Sequence, residues 1–176
     1  YCMIKKGMIS YELTSKENSG RFNCYDINGI KIVLDYGHNV DGYTAVLTAL
    51  KDLNAKRIYG VVGIPGDRLD ESAIDIGCIC AKYLDYVIVK EDKDLRGRKE
   101  GKIAELIVSG ILKENKNKKY EVIFDEQEAL IKAISMARSG DTIVVFFEQM
   151  NPLVKIIEEF NSFYKENEEL RYNALK

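Results

Sequence analysis

From Ile30 onward, short runs of β-branched and aromatic residues alternate with amphipathic stretches, and this alternation constrains the fold more than any other feature. Five such runs are present: Ile30–Asp35, Arg57–Gly63, Tyr86–Lys90, Tyr120–Phe124 and Thr142–Phe147. Each is almost continuously apolar rather than alternating. Runs of that kind are typical of strands covered on both faces, as in a parallel sheet.

The stretches between the runs have the periodicity of helices. They are Thr44–Asn54, Ser72–Tyr83, Lys102–Lys113, a helix that starts at Asp125, and Pro152–Phe160. We expect Gly110 to weaken the third helix, an Asp125–Glu128 capping box to start the fourth, and Gly140 to end it. Strands that alternate with helices predict an α/β fold: an open, mostly parallel, doubly wound (Rossmann-like) sheet of five to six strands with helices on both faces.

Residues 1–29 do not follow this pattern. Met8–Leu13 and Phe22–Tyr25 could form short strands or belong to a linker, and ENSGRFN between them is rich in turn formers. The first residue is Tyr1 rather than methionine, which we interpret as a sign that the chain is part of a larger protein.

Composition excludes several classes of protein. Hydrophobic residues make up 46% and charged residues 31% of the 176 residues, as in soluble globular domains. The 26 basic and 28 acidic side chains give a net charge of −2, so charge predicts neither a nucleic-acid nor a membrane partner. No apolar run approaches the roughly 18 residues of a spanning helix.

The four cysteines and the single histidine do not form a zinc motif. Cys78 and Cys80 would point about 200° apart on a helix, and four ligands at paired spacing are not present. We expect buried, reduced cysteines, no bound metal and a cytoplasmic location.

The first unusual turn follows the strand that ends at Asp35. It contains His38 and Asn39 just before a predicted helix. In open α/β sheets, ligands bind beyond the carboxyl ends of the strands. Asn, His and helix amide groups could therefore hold phosphate or ribose oxygens here. A capped turn with a surface histidine is the alternative.

The second turn is GVVGIPGDRLDE, which carries Asp67 and Arg68. Its glycine spacing matches neither the dinucleotide fingerprint nor a P-loop, and the chain contains no G-K-[ST] sequence. We therefore expect that the chain does not turn over ATP alone. A tight surface turn is the alternative to a ligand-binding turn.

The third turn, EDKDLRGRKE, has eight charged residues among ten, including Asp94, Arg96 and Arg98. Guanidinium groups could bind a carboxylate while Asp or Glu binds an amine, which suits a zwitterionic ligand. A solvated loop is equally compatible with this composition.

Taken together, these motifs resemble the C-terminal domain of the Mur ligase family, ATP-dependent amide-bond-forming enzymes with three domains. Gly20-Arg21 is similar to the G-R signature of the family, and GIPGDR to its G-G-D-R turn. DYGHNVD resembles the D-Y-A-H-N-P-D turn, with Gly37 in place of Ala and Val40 in place of Pro. Within the family, GVVGIPGDRLDES and IVKEDKDLRGRKEGKIAELI look most like the members that form cyanophycin by joining arginine to poly-aspartate.

The resemblance implies a lid domain. Residues 1–29 would lead in from the preceding ATP-binding central domain, and residues 30–176 would form the C-terminal (glutamate ligase) domain. A β-carboxylate would attack ATP to give an acyl phosphate, which the arginine α-amine then opens. ATP and Mg²⁺ would be held mainly by the central domain, so this chain alone would be inactive.

The resemblance also implies roles for individual residues. Arg21, Asp35, His38 and Asn39 would approach the nucleotide. The groups that face arginine or the poly-aspartate (cyanophycin) primer would be Asp67, Arg68, Asp94, Arg96, Arg98 and Glu148. The complete enzyme would be a homo-oligomer.

Two other functions remain open. Another Mur-type ligase, for folylpolyglutamate or a peptidoglycan precursor, has the same turns but is disfavoured by the charged EDKDLRGRKEG sequence. A stand-alone Rossmann-like module that binds a nucleotide or another anion is the second alternative.

Overall fold

The computed structural model describes residues 20–174, with side chains through residue 167. Six strands form one sheet in the order β1-β2-β6-β3-β4-β5. The strands are β1 (Asn23–Ile27), β2 (Ile30–Asp35), β3 (Ile58–Val62), β4 (Tyr86–Val89), β5 (Lys119–Val122) and β6 (Thr142–Phe146). The helices are α1 (Val40–Leu50), α2 (Asp70–Tyr83), α3 (Lys102–Glu114), α4 (Glu126–Met136) and α5 (Met150–Ala174).

Five of the strands are parallel, and β1 is antiparallel to β2. Asn28 and Gly29 join β1 to β2 with positive φ angles of 50° and 79°, the conformation of a tight hairpin turn. The short strand considered at Phe22–Tyr25 overlaps β1, which begins one residue later and extends to Ile27. Met8–Leu13 lies outside the described residues, and the domain boundary at residue 30 stays a prediction.

Helices cover both faces of the sheet. Buried side chains of α1, α2 and α3 pack on one face, with Tyr43, Ile76 and Ile107 fully buried. α4 and α5 pack on the other face through Leu130 and Leu153. The predicted open, doubly wound α/β architecture is confirmed. Among the described residues, no helix is both long and apolar enough to cross a membrane.

The backbones of α2 and α3 approach each other closely at two glycines. A Cβ atom added at Gly110 would lie 2.0 Å from the carbonyl oxygen of Ile74, and one added at Gly77 would lie 2.1 Å from that of Ile107. The expectation that Gly110 merely weakens its helix was therefore incomplete. Its lack of a side chain lets the two backbones touch.

Three local expectations were wrong. β5 is an edge strand with mostly exposed side chains rather than a strand covered on both faces, because no helix among the described residues packs closely on it. Gly140 does not end α4, which stops at Met136, although the predicted cap at Asp125 is present.

Cys24 is exposed rather than buried. Cys78 and Cys80 are also free thiols, and burial raises the pKa of Cys80.

Candidate functional site

Four chain segments follow neighbouring strands at one edge of the sheet. β2, β6, β3 and β4 are adjacent and parallel, so the residues after their carboxyl ends lie side by side. We name them the β2, β3, β4 and β6 turns: residues 36–39, 63–69, 90–101 and 147–149 respectively. All ten residues predicted for the site lie in these turns, at the end of β2 or in the segment that leads into β1. The fold therefore gathers them at the edge where α/β proteins bind ligands.

Asp35 ends β2 and is 5% exposed. Its carboxylate accepts a 2.8 Å hydrogen bond from the Phe22 N–H, while Gly20 accepts the Tyr36 N–H at 2.9 Å. Burial raises the pKa of Asp35, although the Phe22 amide and the Arg21 charge oppose that shift. Asp35 therefore anchors the segment that carries Arg21 to the β2 turn.

His38 and Asn39 lie in the β2 turn directly before α1, and Asn39 is the N-cap residue of that helix. Asn39 accepts the Gly42 N–H at 2.8 Å and caps α1, as the structural alternative expected. The Nδ1 atom of His38 lies 3.1 Å from the Tyr36 carbonyl oxygen. A proton on Nδ1 completes that hydrogen bond and leaves Nε2 free to accept one from a ligand. Nucleotide contacts for both residues stay predictions.

Gly37 has no room for a side chain. An added Cβ would lie 2.7 Å from the Phe146 ring. The glycine that departs from the D-Y-A-H-N-P-D pattern is therefore matched to a phenylalanine at the end of β6, the neighbouring strand.

Tyr43, which was not predicted as a site residue, holds the β3 turn in place through buried contacts. Its ring is fully buried and stacks on Phe146 with 3.6 Å between centroids. Its hydroxyl donates to the Gly63 carbonyl at 2.7 Å and accepts the Gly63 N–H at 3.1 Å. One side chain of α1 thus satisfies both backbone polar groups of the first residue of the β3 turn.

Replacing Tyr43 with phenylalanine should lower the free energy of unfolding by about 1–2 kcal/mol, because both Gly63 groups lose a buried partner. Tyr25→Phe is the matched control, since the Tyr25 hydroxyl is buried without a hydrogen-bond partner. Urea unfolding followed by circular dichroism measures both variants. Equal losses of stability for the two would show that the Gly63 bonds contribute nothing.

Asp67, Arg68, Asp94 and Arg96 form a charged cluster between the β3 and β4 turns. The Arg96 guanidinium lies 2.7 Å from the Asp67 carboxylate and 3.9 Å from that of Asp94. Hydrogen bonding to Arg96 lowers the pKa of Asp67. Arg68 lies 3.9 Å from Asp67, and its Nε atom is buried without a hydrogen-bond partner. Because Nε is buried while the side chain as a whole is 41% exposed, the terminal guanidinium nitrogens are the Arg68 donors available to a ligand.

Arg98 connects the β3 and β4 turns through the protein itself. Its Nε donates to the Gly66 carbonyl, one terminal nitrogen donates to the Arg68 carbonyl, and the other binds Asp70 at 2.5 Å. Gly66 lies against the backbone of the β4 turn, since an added Cβ would meet the Leu95 oxygen at 2.1 Å. Arg98 thus holds the two turns together, and a substrate contact for it stays a prediction.

Carboxylates within and beside the charged sequence accept backbone N–H groups. Glu91, which is 6% exposed, accepts those of Gly101 and Ala104 at 2.7 and 3.0 Å and caps α3. Glu148 accepts those of Lys93 and Asp94 at 2.9 and 3.5 Å. The β4 turn is therefore neither a freely solvated loop nor fully available to a ligand. Several charged side chains instead stabilise the conformation of the turn through hydrogen bonds to the backbone.

Lys90 and Glu126 are buried at the centre of the site, and neither was predicted. The Lys90 ammonium lies 2.6 Å from Asp92 and 2.8 Å from Glu126. Burial lowers the pKa of Lys90, but the two carboxylates outweigh that effect and hold the pKa above its usual value. The available signal was a lysine directly after an apolar strand, where a charge is otherwise unexpected.

Charged groups of both signs remain accessible at this edge, since the side chains of Asp67 and Asp94 are 45% and 73% exposed. Arg21 is exposed, and the side chains of Arg68 and Arg96 are each 41% exposed. Guanidinium groups in this arrangement suit phosphate or carboxylate oxygens. Within residues 20–174, no group of three or more His, Cys, Asp or Glu side chains could hold a metal ion.

A cavity of about 500 Å³ lies at the opposite edge of the sheet, near the amino ends of β3, β4 and β5. Arg57, Asp85 and Lys118 contribute to its lining. Asp85 and Lys118 are already bonded to backbone groups of Ile58 and Leu84. None of the four turns reaches this cavity, so we do not assign the site to it.

Fold and site together define a domain of an ATP-dependent amide-bond ligase family. Residues 20–146 match the family described as Mur ligase, glutamate ligase domain, and the chain belongs to that family.

Among curated proteins, the cyanophycin synthetase of Synechocystis sp. is 40% identical over 156 residues, which cover 89% of this chain and 18% of that protein. The cyanophycin synthetase of Geminocystis herdmanii is 36% identical and also covers 90% of the chain. A UDP-N-acetylmuramoyl-L-alanyl-D-glutamate–2,6-diaminopimelate ligase from Syntrophomonas wolfei is 35% identical over 81% of the chain. The chain spans about a fifth of the length of the cyanophycin synthetases it matches.

Solved structures share the fold. A UDP-N-acetylmuramoyl-L-alanyl-D-glutamate–2,6-diaminopimelate ligase superposes with a TM-score of 0.70 at 19% identity, covering 84% of this chain and 32% of that one. A bifunctional folylpolyglutamate synthase/dihydrofolate synthase from Yersinia pestis, complexed with AMPPNP and a Mn ion, has a TM-score of 0.58 at 19% identity and covers 73% of this chain and 28% of its own.

Proposed function

We propose that this chain is the lid and substrate domain of an ATP-dependent ligase that joins arginine to the β-carboxylates of poly-aspartate. The observation that carries the proposal is the accessible group of guanidinium side chains, Arg21, Arg68 and Arg96, at the carboxyl edge of the sheet. The 40% identity to a cyanophycin synthetase over nearly the whole chain supports this choice of substrates within the family.

The proposed reaction builds negative charge twice. A β-carboxylate attacks the γ-phosphorus of ATP, ADP leaves, and an acyl phosphate forms. The arginine α-amine then attacks the acyl carbon, and phosphate leaves after a tetrahedral oxyanion. Positioned cations stabilise both charged states. Arg21 would face the nucleotide, held by the Asp35 anchor, with His38 and Asn39 beside it.

The β3 and β4 turns would receive the amino acid and the polymer end. Arg68 would bind the arginine carboxylate, or the carboxylate of the growing chain, through donors that its weak 3.9 Å contact with Asp67 leaves available. Asp94, whose side chain is 73% exposed, is the carboxylate of the cluster best placed for a substrate guanidinium. Arg96, Arg98 and Glu148 would keep these turns in position.

The proposed reaction requires a second domain that binds ATP and Mg²⁺. The chain has no P-loop sequence, and the described residues offer no metal cluster. ATP and Mg²⁺ would therefore be held mainly by a central domain over which this domain closes, excluding water from the acyl phosphate. We further propose that the complete enzyme is cytoplasmic and homo-oligomeric.

A domain transplant tests this function. The chain replaces the matching segment of the Synechocystis cyanophycin synthetase, and the chimera is supplied with ATP, Mg²⁺, a poly-aspartate primer and arginine, glutamate or diaminopimelate. We expect arginine incorporation alone. Incorporation of glutamate or diaminopimelate instead would assign the domain to another Mur-type ligase.

The isolated chain tests the remaining alternative. We expect no ATP hydrolysis and weak nucleotide binding by titration calorimetry, because the chain supplies only part of a nucleotide site. Submicromolar affinity for ATP would favour a stand-alone nucleotide-binding module and contradict the lid assignment.

A further inference from the structure

The Lys90 side chain belongs to a network of ion pairs and hydrogen bonds that links the β4 turn to the β6 turn. The side chain is 1% exposed, and its ammonium group lies between the carboxylates of Asp92 at 2.6 Å and Glu126 at 2.8 Å. Asp92 belongs to the β4 turn, whereas Glu126 begins α4 on the other face of the sheet. Lys90 therefore connects the β4 turn to the first residue of α4.

Glu126 extends this connection to the β6 turn. The same carboxylate accepts the N–H groups of Glu148 at 2.6 Å and Gln149 at 3.1 Å, immediately before α5. The Glu148 side chain in turn accepts the N–H groups of Lys93 and Asp94. The bonds thus run from the β4 turn through Lys90 and Glu126 to the β6 turn, and back to the β4 turn.

Stability alone does not explain a buried ionic group of this kind. Desolvation offsets most of the attraction in a buried ion pair, and well-packed apolar side chains of similar size often stabilise a protein equally well. A satisfied polar network instead imposes one geometry on the groups that it joins. Here those groups are the backbone amides of the two turns that carry Asp94 and Glu148.

We propose that Lys90 is a positioning residue, which couples the β4 turn to the β6 turn and thereby sets the geometry of the amino-acid subsite. The coupling follows from the contacts alone, whereas the identity of the amino acid rests on the proposed function. Lys90 touches no substrate in this proposal. It acts through Asp92 and Glu126.

Amide hydrogen exchange in the 176-residue chain tests the coupling. Lys90→Met should accelerate exchange at Lys93, Asp94, Glu148 and Gln149 by more than tenfold, with central β3 and β6 amides changed by less than threefold. Lys90→Arg, which keeps a cation, should accelerate the turn amides by less than threefold. Equal acceleration throughout the sheet, or unchanged exchange in the β4 turn, would overturn the proposal.

A charge-neutral variant separates positioning from simple charge compensation. K90M/D92N/E126Q has no unpaired buried carboxylate, and the one carbonyl oxygen of the new side-chain amide at position 126 can still accept the N–H group of either Glu148 or Gln149. We expect it to recover thermal stability relative to Lys90→Met while exchange in the β4 turn stays fast. Recovery of both properties would show that Lys90 only neutralises charge, and would overturn the proposal.

Kinetics of the chimera address the substrate. Lys90→Met should raise the KM for arginine at least tenfold and leave the KM for ATP within threefold, and Lys90→Arg should restore most of the arginine KM. A rise in the KM for ATP without a rise in the KM for arginine would overturn the subsite assignment. A wild-type chimera without arginine-dependent turnover would contradict the proposed function, and the exchange data would still decide the coupling.

Discussion

Replacing Gly110 with alanine is expected to lower the free energy of unfolding by about 3 kcal/mol, the upper part of the range for overpacked sites. The new Cβ would lie 2.0 Å from the Ile74 oxygen and 3.1 Å from the Cys78 nitrogen, both backbone atoms of α2. Backbone atoms cannot rotate away, so α2 and α3 must separate. Alanine also favours the helix by about 1 kcal/mol, which is included in this estimate.

Thermal unfolding measures this effect, which corresponds to a decrease in melting temperature of about 6–12 °C for a domain of this size. Ser109→Ala is the control, because Ser109 is the exposed neighbour in the same helix. We expect that variant to stay within about 0.5 kcal/mol of the wild type. A Gly110→Ala protein as stable as wild type would mean that the helices can separate without cost.

Replacing Arg68 with alanine in the chimera should reduce arginine incorporation by about 100-fold, the loss typical of a group that stabilises charge in the transition state. Arg68 is the arginine of the G-D-R turn, and among the described residues its guanidinium is held only by a 3.9 Å contact with Asp67. The change therefore removes a ligand-binding cation while leaving few internal bonds to break. Incorporation of radiolabelled arginine at saturating ATP measures the loss.

Arg57→Ala provides the matched control, since it removes the same charge from an exposed residue at the opposite edge of the sheet. That variant should keep at least half of the activity. Aspartate addition by the chimera should also persist in the Arg68 variant, because it does not depend on this domain in our proposal. Equal loss of aspartate and arginine addition would indicate unfolding rather than loss of a substrate contact.

The fold was predictable because its signal is local. Each apolar run between Ile30 and Phe147 corresponds to a strand, and each amphipathic stretch to a helix. Strands of parallel sheets tend to be continuously apolar, and helices buried on one face show a helical period, so both are visible in the sequence. The positions of the turns that follow the strands could be predicted in the same way. What could not be predicted was the edge position of β5, which depends on strand order rather than on the sequence of β5 itself.

The site was only partly predictable, for a related reason. A carboxylate in EDKDLRGRKE can bind a ligand, a solvent molecule or a distant backbone amide, and composition does not distinguish these. Glu91 and Glu148 bind amides, and Arg98 binds carbonyl groups of another turn, through contacts between residues far apart in sequence. Lys90 was missed because a lysine beside a charged sequence is usually solvated, and only the packing of α4 shows that it is buried.

β1 and β5 are the two edge strands of the sheet formed by the described residues. On its outer side, β5 has backbone groups without a strand partner among those residues, beside the exposed Tyr120 and Val122. Such edges promote intermolecular strand addition and aggregation. β5 is only four residues long and includes Lys119 and Glu121, features that oppose this association. Colloidal behaviour at high concentration therefore depends more on these two charged side chains than on the small net charge.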